Sequence, residues 1–216
     1  MSIWAMVPIK PLNRAKSRLA AVLSSDQRET LALHMLIHNL KVLTQSPGIF
    51  GVLVISRDMK ALSAARAIQG VHTLQESGTP ELNTALHRAS RMLMSWGTSA
   101  TLVLPADIPL IHCDDVQAMI DLGRFEHSVV IAPDRRRDGT NAMFMRPPDI
   151  IDYGFGVGSF KRHIQAAELA GAEVHIYESE RMSLDVDSPE DLTLYQELAA
   201  KLGEPIIDYL GVAPQA

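Results

Sequence analysis

The chain has 216 residues, 47% of them hydrophobic and 21% charged, a composition that excludes wholesale disorder and allows one large domain with a full core. Lysine and arginine number 20 against 25 aspartates and glutamates, and the net charge of −5 argues against a protein held to nucleic acid by its phosphates. The lone cysteine, Cys113, excludes an internal disulfide or a multi-cysteine metal site. With no apolar run near the roughly 18 residues that span a bilayer and no basic leader, the expectation is a soluble cytoplasmic protein with no membrane partner.

In chain order, residues 3–9 read as a buried strand that Pro8 and Pro11 end. Asp26 with Glu29 has the form of a capping box, and Leu31, Met35, Leu36, Leu40 and Leu43 then recur at helical spacing. A strand at 52–55, a helix at 59–68 and a strand at 71–74 follow. Thr79 as N-cap and Pro80 at the first position start a helix running to about Trp96. Next come a strand at 101–104, a helix at 114–122, and strands at 129–132 and 142–145. Only a loop joins that pair, so one strand is expected to run antiparallel. A helix at 159–170 and a strand at 174–177 precede the last helix, which Ser188 caps with Pro189 behind it.

Such alternation predicts a three-layer α/β/α sandwich, with a mostly parallel Rossmann-like sheet and one antiparallel strand. Residues 1–202 form a single domain on this reading. The tail 203–216, punctuated by glycine and proline, is expected either loose or docked on a partner subunit in a homodimer.

The charge is unevenly placed. Residues 1–25 hold Lys10, Arg14, Lys16 and Arg18 and no acid, and ligands of open α/β sheets collect at the strand ends from which this loop leaves. Neither a dinucleotide-binding GxGxxG nor a GxxxxGK[ST] phosphate loop is present. Lys10, Lys16 and Arg18 suit a polyphosphate instead; the plain alternative is solvated surface charge. Asp107, in L-P-A-D-I-P, ends an apolar strand. Asp185 and Asp187 are two apart, so in extended chain both face one way. Three carboxylates suit Mg²⁺, which takes hard oxygens plus substrate phosphates, although Asp107 alone reads equally well as a turn residue. In F-G-V-G-S-F, glycines precede a helix whose first N–H groups and Ser159 hydroxyl can meet an anion, with Arg162 or His163 one turn in; an ordinary capped helix is the alternative. Arg135, Arg136 and Arg137 read as a solvated loop.

Taken together, V-P-I-K-P-L-x-x-A-K-S-R-L, L-P-A-D-I-P-L-I, D-G-T-N-A, F-G-V-G-S-F-x-R-H and L-D-V-D-S-P-E-D-L resemble the CofC/FbiD guanylyltransferases of coenzyme F-420 biosynthesis, nucleotidyltransferases with a molybdopterin-guanylyltransferase-like fold. The first and second motifs are shared by the wider superfamily, whereas the glycine-rich pair is narrower. The resemblance implies that Lys10, Lys16 and Arg18 hold the phosphates of GTP and that Asp107, Asp185 and Asp187 coordinate Mg²⁺. It implies that Thr140, Gly156 and Ser159 bind the acceptor, phosphoenolpyruvate or 2-phospho-L-lactate, and that Asn83 approaches the nucleotide. The F-G-V-G-S-F-K-R-H stretch favours phosphoenolpyruvate. Two departures stand out: His112 occupies a position where a small capping residue is expected, and Arg135–Arg137 is unusually basic. A sugar-nucleotide glycosyltransferase using D-x-D, another nucleotidyltransferase of the class, and a non-catalytic GTP-binding module are the competing readings.

Overall fold

The computed structural model describes residues 2–78 and 81–208. Seven strands make one sheet: β1 (Ile3–Pro8), β2 (Ile49–Ser56), β3 (Val71–Gln75), β4 (Ala100–Val103), β5 (Ser128–Pro133), β6 (Thr140–Arg146) and β7 (Glu173–Ile176), in the spatial order β3-β2-β1-β4-β6-β5-β7. β6 runs antiparallel to both neighbours, with Leu102 opposite Phe144 and Val130 opposite Phe144 on its other side, while the other pairs are parallel. The reversal follows from the short 134–139 connection, which is too brief for a parallel crossover.

Successive residues of a strand face opposite ways, and both faces here are apolar. Ala5, Val7, Val52, Val54, Val130, Ala132, Ala142 and Phe144 point to one side. There they meet α1 (Ser25–Gln45), α2 (Met59–Arg66) and α4 (Cys113–Leu122). Trp4, Met6, Leu53, Ile55, Val129, Ile131, Met143 and Met145 point to the other, against α3 (Leu82–Ser95) and α5 (Ser159–Leu169). A third cluster joins α6 (Pro189–Leu202) to Leu19, Leu31, Met35, Leu184 and Val186. The three-layer sandwich with one antiparallel strand is therefore the architecture.

The helix starts differ in detail from the sequence reading. Ser24, rather than Asp26, caps α1: its hydroxyl accepts from Gln27 N–H while Gln27 reaches back to the Ser24 N–H, leaving Asp26 in the first turn, where its charge suits the helix dipole. Glu81 caps α3, accepting from the N–H groups of Asn83 and Thr84; Thr79 and Pro80 lie outside the described residues. His112 does act as a cap, its Nδ1 accepting from the Asp114 N–H while Asp115 returns the bond. Ser188 caps α6 as expected, with Asp191 completing a capping box. The first residues of the tail dock on their own chain: Ile207 N–H donates to the Tyr195 hydroxyl at 2.7 Å and His34 Nδ1 bonds the Asp208 carbonyl at 2.6 Å. Residues 209–216 are outside the described set.

Gly123, just after α4, has no room for a side chain, because a Cβ there would overlap the Phe144 ring and stand 3.2 Å from Val130 Cγ2. Phe144 is fully buried, so it has nowhere to retreat. Gly123→Ala is expected to cost about 1–3 kcal/mol of stability, read as a lower urea midpoint with an unchanged slope.

Candidate active site

After β1 the chain does not form a loose arc. Two short 3₁₀ turns, Leu12–Arg14 and Ser17–Ala21, follow, each anchored by a buried leucine, Leu12 and Leu19. Asp58, the cap of α2, also accepts the Leu12 N–H at 2.7 Å and so ties this loop to the neighbouring strand–helix junction. Lys16 lies between the two turns with left-handed backbone, φ 53°. That uncommon conformation turns its side chain inward. Its Nζ donates to Asp107 Oδ2 at 3.1 Å and Asp187 Oδ1 at 2.9 Å, and its side chain is only 7% exposed. Lys10 and Arg18 are exposed, and both charges reach Asp187.

The two acidic segments are fastened together beside it. Val186 is fully buried and its N–H donates to the Asp107 carbonyl at 3.1 Å, which leaves Asp185 and Asp187 flanking a residue that points into the core. Asn141 Nδ2 donates to Asp185 Oδ1 at 3.4 Å and to the Met182 carbonyl at 2.9 Å. Because β6 runs backward, Thr140 and Asn141 stand at the carboxyl edge of the sheet, beside Asp107.

The electrostatics divide the carboxylates. Burial opposes ionisation of Asp187, but the Lys16 charge and hydrogen bond, with Lys10 and Arg18, outweigh it and hold the group below the usual carboxylate range. Burial likewise disfavours the Lys16 ammonium, and Asp107 and Asp187 more than reverse that. Among the described residues no cation pairs with Asp185. Burial, then the charges of Asp107 and Asp187, push it up to about 6. Among the described residues no three His, Cys, Asp or Glu side chains are arranged as a preformed metal cage; the positive charge the fold places between Asp107 and Asp187 is Lys16.

The glycine-rich stretch is held from several sides. Asp138 accepts the Gly158 N–H at 3.1 Å on its side chain and the Phe160 N–H at 3.0 Å on its carbonyl. Arg162 donates to the carbonyls of Gly154 and Val157 at 2.5 and 2.7 Å. Asn83 is committed on both ends of its carboxamide: Oδ1 accepts the Phe155 N–H at 2.8 Å and Nδ2 donates to the Phe155 carbonyl at 3.2 Å. That residue, which the resemblance places near the nucleotide, braces the glycine-rich loop. Gly156 has φ 130°, which a side chain would strain. Thr140 and Ser159 hydroxyls meet at 3.3 Å, and Thr140 Oγ1 lies 2.9 Å from Nδ1 of His163, which is buried.

So the fold draws Lys16, Asp107, Asp185 and Asp187 into one cluster, with Lys10 and Arg18 at its rim. Thr140, Gly156 and Ser159 form a second group, which Asn141 links to Asp185. Arg135 and Arg137 are engaged elsewhere, with Asp191 at 3.5 Å and with Glu178. Asp58 carries no motif that marks it as a site residue, and to Asn141, although it lies within D-G-T-N-A, the sequence assigns no role. His163, which the sequence places one turn into the helix, stands four residues after Ser159 and hence on the same face.

A model of the guanylyl transferase family described as CofC-like matches residues 3–198. A phosphoenolpyruvate guanylyltransferase from Rubrobacter xylanophilus is 43% identical over 192 residues, covering 89% of this chain and 92% of its own. A 2-phospho-L-lactate guanylyltransferase from Methanocaldococcus jannaschii is 30% identical over 187 residues, 87% of this chain and 79% of its own. Among solved structures, a candidate nucleotide-diphospho-sugar transferase from Desulfovibrio desulfuricans G20 superposes with a TM-score of 0.76 at 19% identity, covering 92% of this chain and 88% of the other, a likeness of fold.

The crowding at Asp185 has a measurable consequence. A folded-state value raised from 3.8 to about 6 means that the ionised group opposes folding above pH 6, whereas below pH 4 both states are protonated and the penalty is gone. Asp185→Asn, which imitates the protonated side chain, is expected to stabilise the metal-free protein by about 1–2 kcal/mol at pH 7. The gain should shrink as pH falls from 6 to 4. Thermal melts across that range, in chelator, check it.

Proposed function

We propose that this chain, which belongs to the CofC-like guanylyl transferase family, joins the guanylyl group of GTP to phosphoenolpyruvate and releases pyrophosphate, a step of coenzyme F-420 biosynthesis in the cytoplasm. The observation that carries the reading is the pairing of two neighbouring groups at one sheet edge: a carboxylate cluster with a buried lysine, and a braced glycine-rich loop with two hydroxyls. An enzyme joining two anions needs both.

The donor chemistry at the first group fits Mg²⁺. Asp107, Asp185 and Asp187 offer only hard oxygens, and the ionised form of Asp185, disfavoured first by burial and then by the charges of its two neighbours, would gain from a cation beside it. These three residues would hold the ion, which when bound draws charge from phosphate oxygens. Lys10, Lys16 and Arg18 surround the same place and are assigned to the triphosphate, Lys16 from its station between the carboxylates. A phosphate oxygen of phosphoenolpyruvate attacks the α-phosphorus of GTP. The new P–O bond forms as the bond to the β-phosphate bridging oxygen breaks, and pyrophosphate leaves with that electron pair. The acceptor phosphate is already anionic near neutral pH, so no side chain has to remove a proton. What the chain contributes is alignment and relief of repulsion.

Thr140, Gly156 and Ser159 are assigned to the acceptor, at backbone held by Asp138, Arg162 and Asn83. Phosphoenolpyruvate is favoured over 2-phospho-L-lactate by the higher identity to the relative named for it, 43% against 30%.

Incubation with Mg²⁺, GTP and each acid separately, followed by mass analysis and a pyrophosphate assay, tests the reading. The guanosine diphosphate ester of phosphoenolpyruvate is expected, and a chelator should stop its formation. Pyrophosphate absent with both acids overturns the proposal, and release of a nucleoside diphosphate points to a glycosyltransferase. Asp107→Asn should lower the melting temperature, because Lys16 loses one of its two charge partners, and should lower the turnover of the protein that remains folded by about 10²–10³-fold or more. Parent-like pyrophosphate release from that variant would refute the role of Asp107.

A further inference from the structure

His163 is buried on the first turns of α5, and both ring nitrogens have partners. The Gly154 backbone N–H donates to Nε2 at 3.0 Å. A backbone N–H has only a donor to give, so Nε2 carries no proton. The neutral ring therefore has its hydrogen on Nδ1, and that hydrogen points at Thr140 Oγ1, 2.9 Å away.

The consequence lies in the hydroxyl pair next to it. Thr140 and Ser159 are 7% and 1% exposed and bond each other at 3.3 Å. Between them they have two O–H protons. One makes the mutual bond. Were Nδ1 an acceptor, Thr140 would give its proton to the ring and Ser159 would give its proton to Thr140, and neither would remain. Only oxygen lone pairs would then face an incoming anion. With Nδ1–H donating, one hydroxyl proton of the pair stays available, and among the described residues neither hydroxyl has a further partner.

We infer that His163 is a positioning residue that, locked by the Gly154 N–H into its Nδ1–H form, keeps the Thr140–Ser159 pair a hydrogen-bond donor toward the anionic acceptor. This rests on the assignment of that pair to the acceptor under the proposed function. Two features of the loop serve the same contact. A Cβ at Gly154 would stand 2.9 Å from Arg162 Cδ, so a side chain there would displace the arginine that holds the Gly154 carbonyl. Arg162, the residue before His163 on the helix, holds the Gly154 carbonyl at 2.5 Å, which steadies the residue whose N–H addresses the ring.

Two substitutions separate the ring's two contacts, since an asparagine amide reaches the place of Nδ1 and a glutamine amide the place of Nε2. In steady-state kinetics on the full chain, His163→Gln keeps the Gly154 contact and should raise KM for phosphoenolpyruvate by about tenfold or more, with KM for GTP unchanged. His163→Asn keeps a donor to Thr140 and should retain acceptor KM within about threefold, with a lower melting temperature. A residue that matters only for packing would shift both substrates alike or would rank the variants by stability; either pattern overturns the inference. Should a variant fail to fold, histidine ¹⁵N spectra of the unaltered protein decide, with the His163 ring assigned through bonds to its backbone. Nδ1–H at neutral pH is expected, and Nε2–H would overturn the inference. An unaltered protein that releases no pyrophosphate with either acid sinks the functional reading instead, while the tautomer can still be measured.

Discussion

Lys16 bridging Asp107 and Asp187 is the contact on which the cluster depends. It joins the loop after β1, the end of β4 and the segment before α6, which are far apart in sequence and otherwise share mainly apolar packing. A nearly buried ammonium is tolerated only because two carboxylates accept from it, and removal of either partner would leave charge stranded in a place that water reaches poorly. The left-handed backbone at Lys16 is the local strain that aims the side chain inward. Lys16 bonds two of the three carboxylates, and Asp185, the third, is reluctant to ionise, first because it is buried and then because Asp107 and Asp187 are charged beside it. The proposed Mg²⁺ would relieve that crowding.

The sheet supplies the second constraint. Had β6 run parallel, Thr140 and Asn141 would have stood at the far edge from Asp107. The reversed strand brings them to the carboxyl ends of β1 and β4, and Asn141 then spans to Asp185. One short connection, residues 134–139, thus sets Thr140 and Asn141 beside the acidic cluster. The same connection fastens the glycine-rich stretch through Asp138.

That stretch shows how much fixed structure a glycine-rich segment can have. Its glycines permit close approach and positive φ, while Asn83, Asp138, Arg162 and His163 bind its backbone from four sides. Preorganised donors of this kind need little reordering when an anion arrives, which is where their advantage over a flexible loop lies.

The alternation of apolar runs and amphipathic segments was enough to read the sandwich and its single reversed strand, because burial on two faces dictates those patterns and a short connection dictates the reversal. Charge asymmetry and motif order were enough to mark the basic loop, the three aspartates and the glycine-rich stretch. Residue spacing could not reveal partners chosen across the fold. It marked Lys16 as one of several loop cations, and only folding put it between Asp107 and Asp187; the family resemblance pointed to Asn83, and only folding showed its carboxamide closed on Phe155. The cap of α1 passed to Ser24 for a related reason, since a cap depends on local backbone angles as well as on residue type. Local pattern reports which way a side chain faces, whereas the identity of its partner depends on how strands distant in sequence are ordered, and that order is a property of the whole packed chain.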